Sequence, residues 1–209
     1  MALKLVYDNW KNIHLNASSN APSIYLFRHA QTHFNKKKYF TGWIDSKLTK
    51  FGKEQAKLVA QKLKSKKIDV AFHTHLSRSA DTLDFVLKFH PECKKVFTDD
   101  RLIERSYGEF SGSSHKSYAD KYGDAALQII RRSYDHLPQN GESMPMVEKR
   151  VNSFLADLLP FMKSNKTNVA ISAHGNSMRP FRKYFEKLSR DQMMKLENPW
   201  DDYFEYVVK

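Results

Sequence analysis

A chain of 209 residues, 41% of them hydrophobic, is long enough to bury a real core and short enough to be one α/β domain, which excludes disorder as its main state. Lys and Arg number 35 against 23 Asp and Glu, and the resulting charge of +12 points to an acidic partner or substrate, with nucleic acid and phosphorylated metabolites as the two obvious classes. The single cysteine, Cys93, excludes an internal disulfide and any cysteine-rich metal centre, so a reducing, cytoplasmic setting is expected. Leu3 to Tyr7 is too short for a secretory signal, and no apolar run approaches the roughly 20 residues of a membrane span.

Residues 1–22 end in a cluster of turn formers, Asn16 to Pro22, and read as a loop or extension to which the sequence assigns no role. Ile24 to Phe27 is a continuous apolar run that suits a strand buried on both faces. Thr49 can cap a helix in which Gly52, Ala56, Val59, Ala60 and Leu63 share one face, ending near Lys66. A second strand is expected over Val70 to Phe72, and a helix from Ser77 to about Phe89, stopped by Pro91. Ser143 can cap a long helix with a stripe from Val147 to Met162, which Pro160 should kink or shorten. Asn168 to Ala173 reads as a strand, Ser177 to about Leu188 as a helix, and Tyr203 to Val208 as an edge strand. This alternation predicts a single domain over residues 1–209. Its architecture should be a three-layer α/β/α sandwich with a mostly parallel central sheet and a site beyond the strand ends.

Two histidines occupy equivalent places, His29 just after the first strand and His174 just after the strand ending at Ala173, and such positions converge in open α/β sheets. Arg28 precedes the first, and Gly175-Asn176 follows the second. Further motifs accompany them. They are Arg28-His29-Ala30-Gln31-Thr32 with Asn35; Thr41-Gly42-Trp43; Leu48-Thr49 with Gly52; and Arg78 in Leu76-Ser77-Arg78-Ser79-Ala80, with Thr82. Glu104 then lies within Leu102 to Gly108, Arg131-Arg132-Ser133-Tyr134-Asp135 follows, and Gly141-Glu142-Ser143 and His174-Gly175-Asn176-Ser177-Met178-Arg179 complete the set. From Ile24 to about Glu186 the chain resembles the histidine phosphatase superfamily and, within it, the cofactor-dependent phosphoglycerate mutases.

The resemblance implies a phosphoglycerate mutase-like fold and a phosphoryl-transfer site. His29 would be the nucleophile and form a phosphohistidine; Arg28, Arg78 and His174 would clamp the phosphoryl oxygens; Glu104 would be the acid–base group. Those residue types suit the chemistry. A phosphoryl group in transfer spreads charge over three oxygens, so catalysis is mainly positioning and neutralisation, and guanidinium groups supply planar paired donors. Nearby cations should also keep His29 neutral and nucleophilic. Thr32, Asn35, Thr41, Gly42, Tyr107, Arg131, Arg132, Gly175 and Asn176 would surround the rest of a small phosphorylated three-carbon acid. Either His115 or Lys116 would stand where mutases carry a substrate-binding lysine. The implied reaction is interconversion of 2- and 3-phosphoglycerate, primed by 2,3-bisphosphoglycerate and without a metal.

Three departures from the family pattern carry expectations of their own. Ala30 replaces a glycine, and would be strained by roughly 1 kcal/mol if that position requires positive φ. The span between Arg132 and His174 is short, which suggests a trimmed loop. The chain also reaches Lys209 soon after the last expected strand, which suggests an open pocket in which water competes for the phosphohistidine. A broad-specificity phosphomonoesterase, needing only the clamp and the acid, is the alternative. A nucleic-acid-binding protein is weighed on Lys36 to Lys38 and Lys62 to Lys67, and a metal hydrolase on His73, His75, His29 and His174. Neither is preferred, because lysine-rich helix faces are usually solvated and paired carboxylate ligands are missing. No nucleic-acid or membrane partner is therefore expected, and the state expected is a monomer or small homo-oligomer.

Overall fold

The computed structural model describes residues 5–15 and 21–209. Its centre is a five-stranded sheet in the order β3-β2-β4-β1-β5, built from β1 (Ser23–Arg28), β2 (Val70–His73), β3 (Lys95–Thr98), β4 (Val169–Ala173) and β5 (Tyr203–Val207). The four strands β1 to β4 run parallel, and β5 pairs with β1 in the antiparallel sense. Helices cover both faces, so the sheet is mostly parallel and the sandwich has three layers.

Alternation along β1 sorts the core. Ile24 and Leu26 face one layer, packing with the stripe of α6 (Met144–Asn165) and with α7 (Gly175–Glu186), whereas Tyr25 and Phe27 face α2 (Lys50–Leu63) and α3 (Ser77–Leu87). The Thr49 hydroxyl accepts the Gly52 amide and so caps α2, which stops three residues before the expected Lys66. Pro160 neither ends nor shortens α6, which continues to Asn165. Both Pro160 and Ala156, whose carbonyl loses its helical donor to the proline ring, lie on the exposed side, where water can serve that carbonyl. The remaining helices are short: α1 (His33–Lys36), α4 (His115–Tyr122), α5 (Asp124–Arg132) and α8 (Arg190–Lys195).

The N-terminal segment is more than a loop. Residues 1–4 and 16–20 lie outside the described residues, but Tyr7 bridges to Asp99, and Trp10 is fully buried against Phe72, Phe154 and Phe161. The indole Nε1–H donates to the buried Asp99 carboxylate at 3.0 Å, so the ring is anchored at its polar edge as well. Strand β3, absent from the sequence expectation, forms beside this segment, with Thr98 and Asp8 exchanging hydrogen bonds. Removing a buried tryptophan leaves a cavity, so Trp10→Ala should lower the unfolding free energy by about 3–5 kcal/mol, read as a fall in the urea midpoint. A shift under about 0.5 kcal/mol would show that the segment does not belong to the cooperative core.

Candidate active site

The register of the two central strands decides the geometry. Arg28 pairs with Ala173, so the next residue on each strand is a histidine, and the His29 amide donates to the Ala173 carbonyl at 2.9 Å. The two rings lie with centroids 4.9 Å apart, both buried. The His29 Nδ1 contacts the Ala30 carbonyl at 2.8 Å, and since a carbonyl can only accept, Nδ1 carries the proton and Nε2 keeps its lone pair. Burial, then the guanidinium groups of Arg78 and Arg28, hold His29 well below the usual histidine range. Burial and Arg78 do the same to His174, whose Nε2 meets the Thr74 hydroxyl at 2.8 Å.

Both arginines are fixed by main-chain carbonyls. Arg78 donates to Ile44 and Gly42, and the left-handed φ of +49° at Gly42 turns that carbonyl toward it. A side chain at position 42 would also press into Ser111, within 2.5 Å of its hydroxyl. Arg28 donates to the Asn198 carbonyl and lies 4.7 Å from the centre of the Trp200 ring. Burial brings each guanidinium down to about 10, which still leaves a cation at neutral pH. Arg28 Nε, Arg78 Nε and His174 Nδ1 are buried without a hydrogen-bond partner among the described residues, and the two guanidinium N–H groups suit an oxyanion.

Glu104 completes the group. Its Oε1 accepts the amides of Arg105 and Asn176, and its main-chain carbonyl accepts from Trp43 and Arg150. Arg150 is itself locked in a buried ion pair with Glu142, which accounts for the Gly141-Glu142-Ser143 motif as a brace for the turn that carries Glu104. His29, Glu104 and His174 offer ligand atoms within 4.8 Å of one another, a spacing that a metal ion could also use. The two buried guanidinium groups beside them oppose a dication and favour an anion.

Above this cage lies a cavity of about 140 Å³. Of the residues expected to meet substrate, Asn35, Thr41, Tyr107, His115, Arg131, Arg132, Gly175 and Asn176 line it, as do Arg28 and Glu104. Thr32, Gly42 and Lys116 do not, and neither do His29, Arg78 and His174, which are buried. Thr32 is buried and caps α1 through Asn35, Gly42 faces Arg78, and the Lys116 ammonium pairs with Asp120 on an exposed helix face. His115 takes the inward position; burial first, then Arg131 and Lys38, bring it down to about 4.

Ala30 is unstrained. Among the described residues its φ is not positive, and its amide donates to Thr82, whose hydroxyl reaches back to the Arg78 carbonyl. His73 and His75 face their own surroundings, the Thr74 carbonyl and Asp100. Lys62 and Lys66 pair with Asp202 and Glu205.

The pocket is also less open than the sequence suggests. Leu196, Glu197 and Asn198 line it together with Arg179, and the strap from Leu196 to Trp200 covers Arg28. Sequence reasoning did not assign these four residues. Arg179 stood in a quoted motif and could have been found, but the strap acts largely through main-chain carbonyls, which leave no mark in the sequence.

Fold and site together are those of an α/β domain with a buried cationic cage beyond its strand ends. The sequence profile of the histidine phosphatase superfamily (branch 1) matches residues 24–202, and the chain belongs to that superfamily. It is 36% identical over 204 residues to the 2,3-bisphosphoglycerate-dependent phosphoglycerate mutase 2 of Lactiplantibacillus plantarum, covering 82% of this chain and 87% of the relative. It is 38% identical over 175 residues to the 2,3-bisphosphoglycerate-dependent phosphoglycerate mutase of Parvibaculum lavamentivorans, covering 82% and 83%. Among solved structures, a mycobacterial glucosyl-3-phosphoglycerate phosphatase superposes with a TM-score of 0.76 at 23% identity, over 89% of this chain and 90% of that one. The phosphoglycerate mutase of Bacillus anthracis superposes with a TM-score of 0.72 at 21% identity, over 91% and 93%. Both share the fold.

Neutral buried imidazoles have a consequence for stability. With the folded pKa values of His29, His174 and His115 lowered, the unfolded chain takes up protons first on acidification. Their contribution is complete above about pH 6.5 and is lost as the pH falls below it. The urea midpoint should therefore decline below about pH 6.5, and imidazole nitrogen NMR at about pH 6 should show His29 as the neutral Nδ1–H tautomer. An imidazolium signal for His29 under those conditions contradicts the cage described above.

Proposed function

We propose that the protein interconverts 2-phosphoglycerate and 3-phosphoglycerate through a phosphohistidine at His29, acting in the cytoplasm. The observation that carries this reading is a pocket lined by two sets of cations. Arg28, which lines it, acts with the buried Arg78 on His29, while Arg131, Arg132 and Arg179 also line it. A monoester phosphatase needs only the first group. A mutase must also hold a carboxylate or second phosphate while the phosphoryl group leaves and returns.

In this reading the free hydroxyl of the bound phosphoglycerate attacks the phosphorus carried by primed His29 and passes its proton to the Glu104 carboxylate as the P–N bond breaks. His29 Nε2 then attacks the other phosphorus in line with its ester oxygen. That P–O bond breaks as Glu104 gives the proton back to the leaving oxygen. Arg28, Arg78 and His174 neutralise the phosphoryl oxygens throughout, and the strap over Arg28 limits access of water. The buried, unpartnered guanidinium donors at Arg28 and Arg78 fit one phosphate of 2,3-bisphosphoglycerate, with Arg131 and Arg132 for its other end. That compound, when bound, supplies the priming phosphoryl group.

A phosphomonoesterase is the second reading, favoured by one feature. Of the two residues that the resemblance offers for the mutase lysine, the pocket is lined by His115, neutral at working pH, and not by Lys116, so this part of the wall carries no cation. An enolase-coupled assay with and without 2,3-bisphosphoglycerate, run against inorganic phosphate release, separates the two. His29→Ala should abolish transfer and acid-labile labelling. Arg131→Ala should cut mutase kcat/KM by about 100-fold while costing hydrolysis of a simple phosphate ester about tenfold or less. Equal losses in both assays would favour the phosphatase.

A further inference from the structure

Glu197 stands out in the pocket wall. Its carboxylate meets the Arg132 guanidinium, yet its side chain is 74% exposed. The main chain around it is held independently of that carboxylate. Arg179 donates to the Leu196 carbonyl, Arg182 to the Glu197 carbonyl, and Arg28 to the Asn198 carbonyl. Asn198 adds a bond from its amide to the Gly175 carbonyl. The strap therefore stays in place whether or not the Glu197 carboxylate holds Arg132.

We propose that the Glu197 carboxylate is a resident anion on Arg132, which the second anionic group of a substrate must displace, making Glu197 a specificity-determining residue at the outer end of the pocket. The inference rests on the mutase reading only in taking Arg132 as a substrate contact. Displacement is cheap because the pair is solvent-exposed. The released carboxylate also has somewhere to go. On the far side of the pair lies a depression that Arg132 and Glu197 share with Tyr134, Arg190 and Lys195. Arg190 lies over the Tyr134 ring there, 5.4 Å from its centre, and its carboxylate contacts are long, at 3.9 Å to Asp135 and 3.5 Å to Asp191. A ligand with one phosphate fills the cage and leaves the pair intact. A ligand with a second anion must replace one carboxylate by another on the same guanidinium, so its extra charge gains less than Arg132 alone would give. The pair thereby keeps a strongly basic mouth from trapping stray inorganic anions and speeds release of doubly charged products.

Calorimetry in the full-length His29→Ala chain, in which no ligand can react through His29, tests this with 3-phosphoglycerate and with glycerol 3-phosphate, which lacks the carboxylate. Glu197→Gln should lower the Kd of 3-phosphoglycerate about three- to fivefold and widen its preference over glycerol 3-phosphate by the same factor. In an Arg132→Ala background the same change should alter that preference by less than about 1.5-fold. An unchanged preference in Glu197→Gln, or an equal shift with Arg132 removed, overturns the proposal. Since the readout is binding, a widened preference supports it even if the coupled assay with the unaltered chain shows no mutase turnover, a result that would overturn the mutase reading alone.

Discussion

Two guanidinium groups buried beside two imidazoles are the constraint around which the rest of the structure is arranged. Taking a cation out of water costs several kcal/mol unless other groups replace the lost hydration. Here the replacements are main-chain carbonyls at Gly42, Ile44 and Asn198, the face of Trp200, and the nearby Glu104 carboxylate. That environment leaves Arg28 and Arg78 charged and so forces the electrostatics of their neighbours. A third and fourth positive charge in the same space would be prohibitive, and His29 and His174 remain neutral. The neutral form of His29 is thus a product of burial and of the charges next to it, with the Ala30 carbonyl choosing which nitrogen stays free.

The fold converts sequence separation into this proximity by simple means. Strands β1 and β4 are central and parallel, so whatever follows their last residues meets at one edge of the sheet. Helix α3 delivers Arg78, and the turn after Leu102 delivers Glu104, braced by the Glu142–Arg150 pair. Helix α5 brings two adjacent arginines at its end to the mouth. The site has two parts, a buried cage around His29 and His174 and a cavity lined largely by polar side chains.

The elements most legible in the sequence were those whose burial is complete or periodic. The unbroken apolar run of β1, the buried stretch of β4, the Thr49 cap and the α2 stripe all form close to where their patterns put them. The cage residues were legible through motif resemblance, which outweighs the ordinary reading of a lone histidine or glutamate. What stayed hidden depends on long-range partners. Strand β3 is four residues long with exposed lysine and valine at its start, and forms as the outer neighbour of β2 beside the N-terminal segment. Trp10 lies in a segment without periodicity, and its burial follows from a gap between Phe72, Phe154 and Phe161 that no local pattern reveals. His115 and Lys116 could not be told apart because neighbours on a helix point about 100° apart, and only the placement of α4 shows which one turns inward.

The position of the strap in the chain has a bearing on how the protein is made. Every member of the lower cage lies before residue 175, but the strap that covers Arg28 comes after it, and β5, which covers the free edge of β1, comes later still. A chain growing from its N-terminus therefore has all the cage residues before it acquires the strap and β5. Until β5 docks, β1 presents an unpaired, strongly apolar edge, the kind of surface on which half-made chains stick to one another. Protection of the sheet edge thus comes last of the three, after the cage and its strap, and a chain stopped before β5 lacks it.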